Sequence, residues 1–248
     1  MSRSVRFLQL LIFALCVALS TDAMGAPKAK KKKGAWTRKI EAGVNLTEGN
    51  KDSIQTRAQI EVKNKREKNE TVLKLRGEIG ETDSERTRER VRAEASHLRE
   101  LNFRSYLSLN GEFLYDGIAE LDYRVVLGPA YGYFLIRETA QELRAEIGPA
   151  GVWEKKAGER DAYPALRLAE YYECKLTAVS QLKQGIEWVP ELQEEDGRVL
   201  VKAFLELKMD LDEQVSVKLR LESDHDSRPA EGKDKQDTSF GVTLAYSF

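Results

Sequence analysis

From residue 40 to the last residue, apolar side chains return at every second position in twelve short runs, the period of strands with one apolar face. Ile40, Ala42, Val44 and Leu46 open the series, and Glu48-Gly49-Asn50-Lys51 breaks it as a hairpin connection. Ile54, Ala58, Ile60 and Val62 mark the second run, and Leu73, Leu75, Gly77 and Ile79 the third. In the fourth, Val91, Ala93 and Ala95 face away from Arg88, Arg90, Arg92 and Glu94. The fifth is the clearest: Leu101, Phe103, Leu107, Leu109, Phe113 and Tyr115 alternate with Arg104, Tyr106, Ser108, Asn110 and Glu112. The sixth runs from Ala119 through Leu121, Tyr123, Val125 and Leu127 to Tyr131, Tyr133 and Leu135. Runs around Leu143–Trp153, Leu166–Cys174, Leu182–Trp188, Val199–Leu207 and Val215–Leu221 follow. The last places Phe240, Val242, Leu244, Tyr246 and Phe248 on one face, with Ser239, Gly241, Thr243, Ala245 and Ser247 on the other.

This pattern predicts an all-β protein: an antiparallel up-and-down transmembrane β-barrel of about twelve strands (ten to twelve) over residues 36–248. With both termini on one side, the turns there fall near 66–69, 98–101, 137–141, 174–177 and 210–213, all short. The opposite side receives the runs near 47–53, 81–86, 116–118, 154–163, 190–197 and 223–237, most of them longer. Short turns on one side, longer loops on the other and an even strand number are features of single-chain outer-membrane barrels. Trp153, Trp188, Tyr115 and Phe240 would mark one membrane interface, and Trp36, Phe103, Tyr131, Tyr133 and Phe248 the other. Glu89 and Glu170 take the outward parity, against a clean apolar band. The terminal strand, with Tyr246 and Phe248 on its apolar face, resembles the C-terminal signal by which bacterial outer-membrane barrels are assembled.

The N-terminus agrees with export. Arg3 and Arg6 precede an uncharged run from Phe7 to Leu19, followed by small residues to Ala26. Such a run is too short to span a bilayer as a helix, which takes about 20 residues, and reads as a signal peptide over 1–26. Cys16, preceded by Phe-Ala-Leu, makes a poor lipoprotein box. Residues 27–35, with Lys28 and Lys30 to Lys33, read as a basic periplasmic leader. A third of the chain is charged, yet 40 Lys+Arg nearly cancel 41 Asp+Glu, so the charges must neutralise one another; nucleic acid is excluded as a partner. Of two cysteines only Cys174 outlasts signal cleavage, so no internal disulfide forms, and no Cys/His cluster offers a zinc site. A mean hydropathy of -0.51 is compatible with a membrane barrel, because only every second residue meets lipid.

Three stretches carry a family likeness: Ala42-Gly-Val-Asn-Leu-Thr-Glu-Gly-Asn50, Tyr123-Arg-Val-Val-Leu-Gly-Pro-Ala-Tyr-Gly-Tyr133 and Leu143-Arg-Ala-Glu-Ile-Gly-Pro-Ala-Gly151, together with Asp237 before the closing Gly241-Val-Thr-Leu-Ala-Tyr-Ser-Phe248. In this order they resemble the YdiY or DUF481 type of bacterial proteins, described as salt-induced outer-membrane proteins. The resemblance implies an outer-membrane location and barrel fold; the family has no settled activity.

Candidate chemistry is sparse. His225-Asp-Ser227 followed by Glu231 superficially fits the His-x-Ser wording of lipid A deacylases, but it falls in a hydrophilic stretch without the rigid placement catalysis needs. Asp224, Asp226, Asp234 and Asp237 lack the spacing of a calcium loop. No catalytic residue, cofactor or metal is expected, and the chain is read as a non-enzyme. The face opposite the apolar one is more promising. There Arg90, Arg92, Arg104, Arg124 and Arg144 would point into the lumen and form ladders with Glu94, Glu112 and Glu146. Two readings follow: an outer-membrane barrel, structural or passing small solutes or ions, whose partners are lipid and the assembly machinery; or a soluble secreted or periplasmic barrel that turns its apolar face inward around a hydrophobic ligand.

Overall fold

Each apolar run becomes a strand, and each strand pairs antiparallel with its sequence neighbour. The computed structural model describes residues 34, 36–47, 53–83, 85–193 and 196–248. The expected signal peptide, all of the expected leader but Gly34, and the first hairpin connection at 48–51 lie outside the described residues. The strands are β1 (Trp36–Thr47), β2 (Ser53–Arg66), β3 (Asn69–Thr82), β4 (Glu85–Glu100), β5 (Ser105–Asp116), β6 (Leu121–Arg137), β7 (Gln141–Lys156), β8 (Glu159–Lys175), β9 (Ser180–Pro190), β10 (Val199–Asp210), β11 (Val215–Asp226) and β12 (Gln236–Ser247). β12 returns to β1, through Lys39↔Ser247 to Ala42↔Leu244, and closes an all-β barrel of twelve strands. Closure joins the two terminal strands over these four pairs, and joining its edges is the condition a sheet must meet to sit in lipid.

Side chains sort by parity. Leu107 and Leu109 are half exposed, at 50% and 52%, whereas Ser108 between them is 6% exposed. The outside is an apolar belt that includes Leu73, Leu75, Phe113, Leu127, Ile147, Leu205, Leu221, Val242 and Leu244. The inside holds Glu41, Arg76, Glu78, Arg90, Arg92, Arg124, Glu146, Arg167, Glu206, Lys218 and Glu222, all buried. This orientation contradicts the soluble reading, which requires the apolar face to point inward. Exposed Trp153, Trp188 and Phe240 lie toward one rim, and exposed Trp36, Phe103, Tyr131 and Tyr133 toward the other, as two aromatic girdles. Glu89 sits near the first of these rims, where the Arg86 guanidinium (2.8 Å) and Tyr115 hydroxyl (3.3 Å) engage it. Glu170 keeps the outward parity between Ala145 and Ile186, and nothing in the structure explains it.

At the rim where β1 starts and β12 ends, called here the terminal rim, three turns share one design. In 101–104, 176–179 and 211–214 the second residue, Asn102, Thr177 or Asp212, accepts the backbone N–H groups two and three residues on. The same side-chain oxygen thus closes each turn locally. The preceding Leu101, Leu176 and Leu211 are all exposed. Asp212, fully exposed, has its carboxyl held below the usual range by the N–H groups of Gln214 and Val215.

Several boundaries differ from expectation. The run at 154–163 is no loop: β7 and β8 continue to a two-residue turn, Ala157-Gly158, with left-handed φ at both positions. Similarly β3 extends to Thr82 and β4 begins at Glu85, and β11 extends through Asp226, which places His225 opposite Val201 and Gln236. About 9–11 residues cross a membrane as a tilted strand, while β6 and β8 have 17. Strand ends that project beyond lipid are wet on both faces, so they lose the alternation that marks a strand. The opposite error occurs at 101–104, where Leu101 and Phe103 mimic strand alternation but Asn102 closes a turn.

Candidate functional site: the charged lumen

Inward parity places the charges of twelve strands in one confined space. Arg90 donates from Nε to Asp116 (2.6 Å), from Nη1 to Asp224 (2.8 Å) and from Nη2 to Asp237 (2.6 Å). Arg92 donates to Glu222 (2.7 Å) and Asp224 (2.8 Å). Glu222 also accepts from Arg76 (2.6 Å) and Arg220 (3.1 Å). The links from Arg90 and Arg92 to Asp224 and Glu222 cross the barrel, since β4 and β11 are five strands apart around the ring. The physical reason lies in the register: the residues beside Arg92 on β3 and β5 are Arg76 and Leu114, so no acid is adjacent and the guanidinium reaches across. Transverse ties of this kind run alongside pairs between neighbouring strands, such as Arg90–Asp116 and Arg167–Glu146.

The other expected lumen residues divide. Arg124 holds Glu154 (2.7 Å) and Asp226 (2.6 Å), and Arg198, from the β9–β10 connection, binds the same two acids. Glu94 and Glu112 both meet Lys202 of β10, at 3.2 and 2.5 Å, and Glu187 meets it at 3.2 Å. β10 stands directly opposite β4, six strands away in either direction, so Lys202 spans the lumen at mid-barrel. Glu146 accepts from Arg167 (2.7 Å), the Tyr106 hydroxyl (2.8 Å) and Asn110 (3.2 Å). Arg144 lies with its guanidinium 5.0 Å from the Tyr171 ring centre. Arg104 does not join them. It is exposed at the end of the 101–104 turn, and β5 begins one residue later.

Asp224, Asp226 and Asp237, which lack the spacing of a calcium loop, pair instead with the guanidinium groups of Arg88, Arg90, Arg92, Arg124 and Arg198. Ser227 accepts the N–H of Val199 (2.8 Å). Lys202 and Glu222, the two hubs, have no motif of their own. The signal for Glu222 was the unbroken parity Lys218, Arg220, Glu222, Asp224, Asp226, which continues β11 past the last apolar residue, and that for Lys202 was its place on the polar parity of β10 with Glu206.

Glycines shape the wall. A Cβ on Gly132 would fall 2.1 Å from the Tyr106 ring, and one on Gly185 2.5 Å from the Phe204 ring, so bare backbone makes room for inward aromatic rings. The paired Gly-Pro-Ala segments of β6 and β7 pack reciprocally: a Cβ on Gly128 would fall 2.2 Å from the Pro149 carbonyl oxygen, and one on Gly148 2.0 Å from that of Pro129. Toward the far rim, Ala150, Val152, Tyr163, Ala165, Val189 and Leu200 form an apolar cluster inside the barrel. The β11–β12 loop folds toward it with Ala230 buried, tied by Arg228 to the Asp196 carbonyl (2.7 Å) and by Lys233 to Glu120 (3.2 Å). Beside these ties a cavity of about 600 Å³ remains, and its lining runs from Lys68 and Lys175 at the terminal rim to Lys233 and Asp237 at the far rim.

A closed twelve-strand barrel with an apolar exterior and a charged lumen is a porin-like barrel. The fold is similar to that of the NanC porin (TM-score 0.52, 9% identity), covering 85% of this chain and 98% of that one. It is also similar to an outer-membrane channel from Pseudomonas putida F1 (TM-score 0.51, 10% identity), covering 90% and 100%. At such identities the likeness is one of fold alone. The chain belongs to the family described as protein of unknown function, DUF481, whose model matches residues 40–248. No curated protein matches the chain.

Proposed function

We propose that this chain is a non-catalytic outer-membrane barrel that lets small ions or polar solutes pass through a narrow, charge-lined lumen. The observation that carries the reading is the pairing of an apolar outer belt with a polar cavity whose lining reaches both rims. An apolar exterior is stable in lipid, and a lumen of paired charges can hydrate a path without the cost of unpaired buried charge. Export through a cleaved signal peptide, recognition of Tyr246 and Phe248 by the assembly machinery, and a role in salt or osmotic stress of the YdiY kind complete the proposal; the last rests on family resemblance alone.

Purified protein in planar bilayers tests it. Wild type should show small, steady conductance. Neutralising Arg90 and Arg92 to Gln should leave heat-modifiable gel migration intact while shifting ion preference toward cations, because Asp224 loses both of its arginines and Asp237 and Glu222 lose one each. A silent bilayer for wild type and variant alike would refute passage, and native protein in the soluble periplasmic fraction would refute the location.

A further inference from the structure

Every other arginine of the lumen wall is spent on a carboxylate. Arg76, Arg90, Arg92, Arg124, Arg167 and Arg220 each make at least one ion pair. Arg144 is different. Among the described residues it makes no hydrogen bond or ion pair, and its one specific contact is the face of Tyr171. It lines the cavity, on the fourth residue of β7 counted from the terminal rim.

Two of the three acids around it are already engaged by other donors. Glu146, two residues farther along the same face, already accepts from three donors. Glu70, across the terminal half of the lumen, is held by Lys63 (2.8 Å) and Lys65 (3.5 Å). Glu142, two residues toward the rim, is the remaining carboxylate of that face.

The platform is rigid. The Tyr171 hydroxyl receives a hydrogen bond from Arg167 (2.7 Å) and donates to Glu187 (2.9 Å). On the other flank Phe134, opposite Arg144 in register, is buried beneath Arg137 (4.2 Å) and against Tyr106 (5.0 Å). A guanidinium over an aromatic face uses its π surface and leaves its in-plane N–H fork open, and that fork matches the two oxygens of a carboxylate.

We propose that Arg144 is a subsite for the carboxylate of a small monocarboxylic solute in the terminal half of the lumen. The flanking Glu142 and Glu146 disfavour a more highly charged anion such as phosphate, because like charges in a confined space repel. The inference rests on the proposed access of small solutes to the lumen, but binding is read without conduction, so the two can fail separately.

Trifluoroacetate is a suitable probe, followed by the width of its 19F resonance with the barrel in nanodiscs at constant physiological ionic strength. Saturable broadening is expected, reversed by propionate and not by the isosteric neutral propionamide. Arg144→Lys keeps the charge but loses the fork, and should weaken binding about tenfold, as expected for a lost bidentate hydrogen bond to a charged group. Glu142→Gln, which removes a repelling charge, should tighten it several-fold and keeps the proposal testable should the Arg144 variant fail to fold. Absence of saturable broadening in wild type, equal affinity in Arg144→Lys, or stronger displacement by inorganic phosphate than by propionate would each overturn the assignment.

Discussion

Replacing Lys202 with Met removes the single ammonium that three carboxylates share. Glu94, Glu112 and Glu187 approach it at 3.2, 2.5 and 3.2 Å, and their side chains are only 19–26% exposed, that of Lys202 17%. Met matches the stem of Lys, so packing is conserved and the effect is electrostatic. Removing one partner of a buried ion pair costs roughly 3–5 kcal/mol because the other charge is stranded. Residual exposure of these side chains in the cavity argues for the low end, about 3 kcal/mol, or roughly a hundredfold in the unfolding equilibrium. Lys74, 3.6 Å from Glu94, and Arg167, 3.0 Å from Glu187, compensate in part for those two acids, which leaves Glu112 as the stranded one. The assay is denaturant titration of the detergent-solubilised barrel, scored by the folded band on an unheated gel. A second variant isolates the cause: Glu112→Gln added to Lys202→Met removes one of the crowded charges and should restore at least half of the loss. A Lys202→Met barrel as stable as wild type would refute the reasoning. So would a double variant no more stable than the single one, since crowding of like charge would then not be the source of the loss.

Gly132→Ala should destabilise by about 1–3 kcal/mol, the usual cost of overpacking, because its Cβ meets the Tyr106 ring; in a Tyr106→Ala background the penalty should vanish, and its persistence in gel-shift melts would point elsewhere. Asp212→Ala should lower stability at neutral pH. Backbone donors depress this carboxyl in the folded state, so its contribution is present above the unfolded value of about 3.9 and is lost as pH falls through the folded one. Melts of wild type and variant should therefore converge in strong acid, and a constant difference across pH would contradict the capping role. Phe248→Asp should reduce membrane yield far more than Ser247→Ala, because the Phe248 ring lies 6.1 Å from Tyr246 on the outer face; equal yields would count against the terminal aromatic as an assembly signal.

Where lipid is present the pattern was readable, because one face must be apolar and the other polar. β5, β10 and β12 lie where alternation puts them, and the parity of Arg90, Arg92, Arg124, Arg144 and Glu146 follows from it. Beyond the lipid both faces are wet. The ends of β7, β8 and β11 therefore read as loops, and Glu154, Asp224 and Asp226 were lost to the candidate site although they anchor four arginines, Arg90, Arg92, Arg124 and Arg198. Pairing was less legible still. Adjacent-strand logic suggests Arg92 with Glu94 or Glu112, yet a partner five strands away, Glu222, is nearer than any acid beside it. Cross-barrel distance depends on strand number and tilt together, and alternation carries neither. The 101–104 turn failed for a different reason: Leu-Asn-Phe-Arg has the period of a strand, and only the repeated Leu-Asn, Leu-Thr and Leu-Asp beginnings of the three turns reveal its kind.

The density of charge inside this barrel has a consequence for how the chain finds its register. A slip of one residue in any strand exchanges its two faces. In β4 it would move Arg88, Arg90, Arg92 and Glu94 to the outside and Val91, Ala93 and Ala95 to the lumen. An arginine facing lipid near the midplane costs roughly 2–4 kcal/mol, so even one slipped strand would cost on the order of the whole stability of a small domain, about 5–15 kcal/mol. Paired lumen charges contribute little net stability over a packed apolar filling. Their larger effect is to make the wrong parity inaccessible. That explains why β4, whose outward mid-strand side chains Val91, Ala93 and Ala95 offer a weak apolar drive, also has four consecutive inward charges. It also explains why neutral substitutions in the lumen should be tolerated singly during insertion, whereas charge placed on the outward positions of β4 should not.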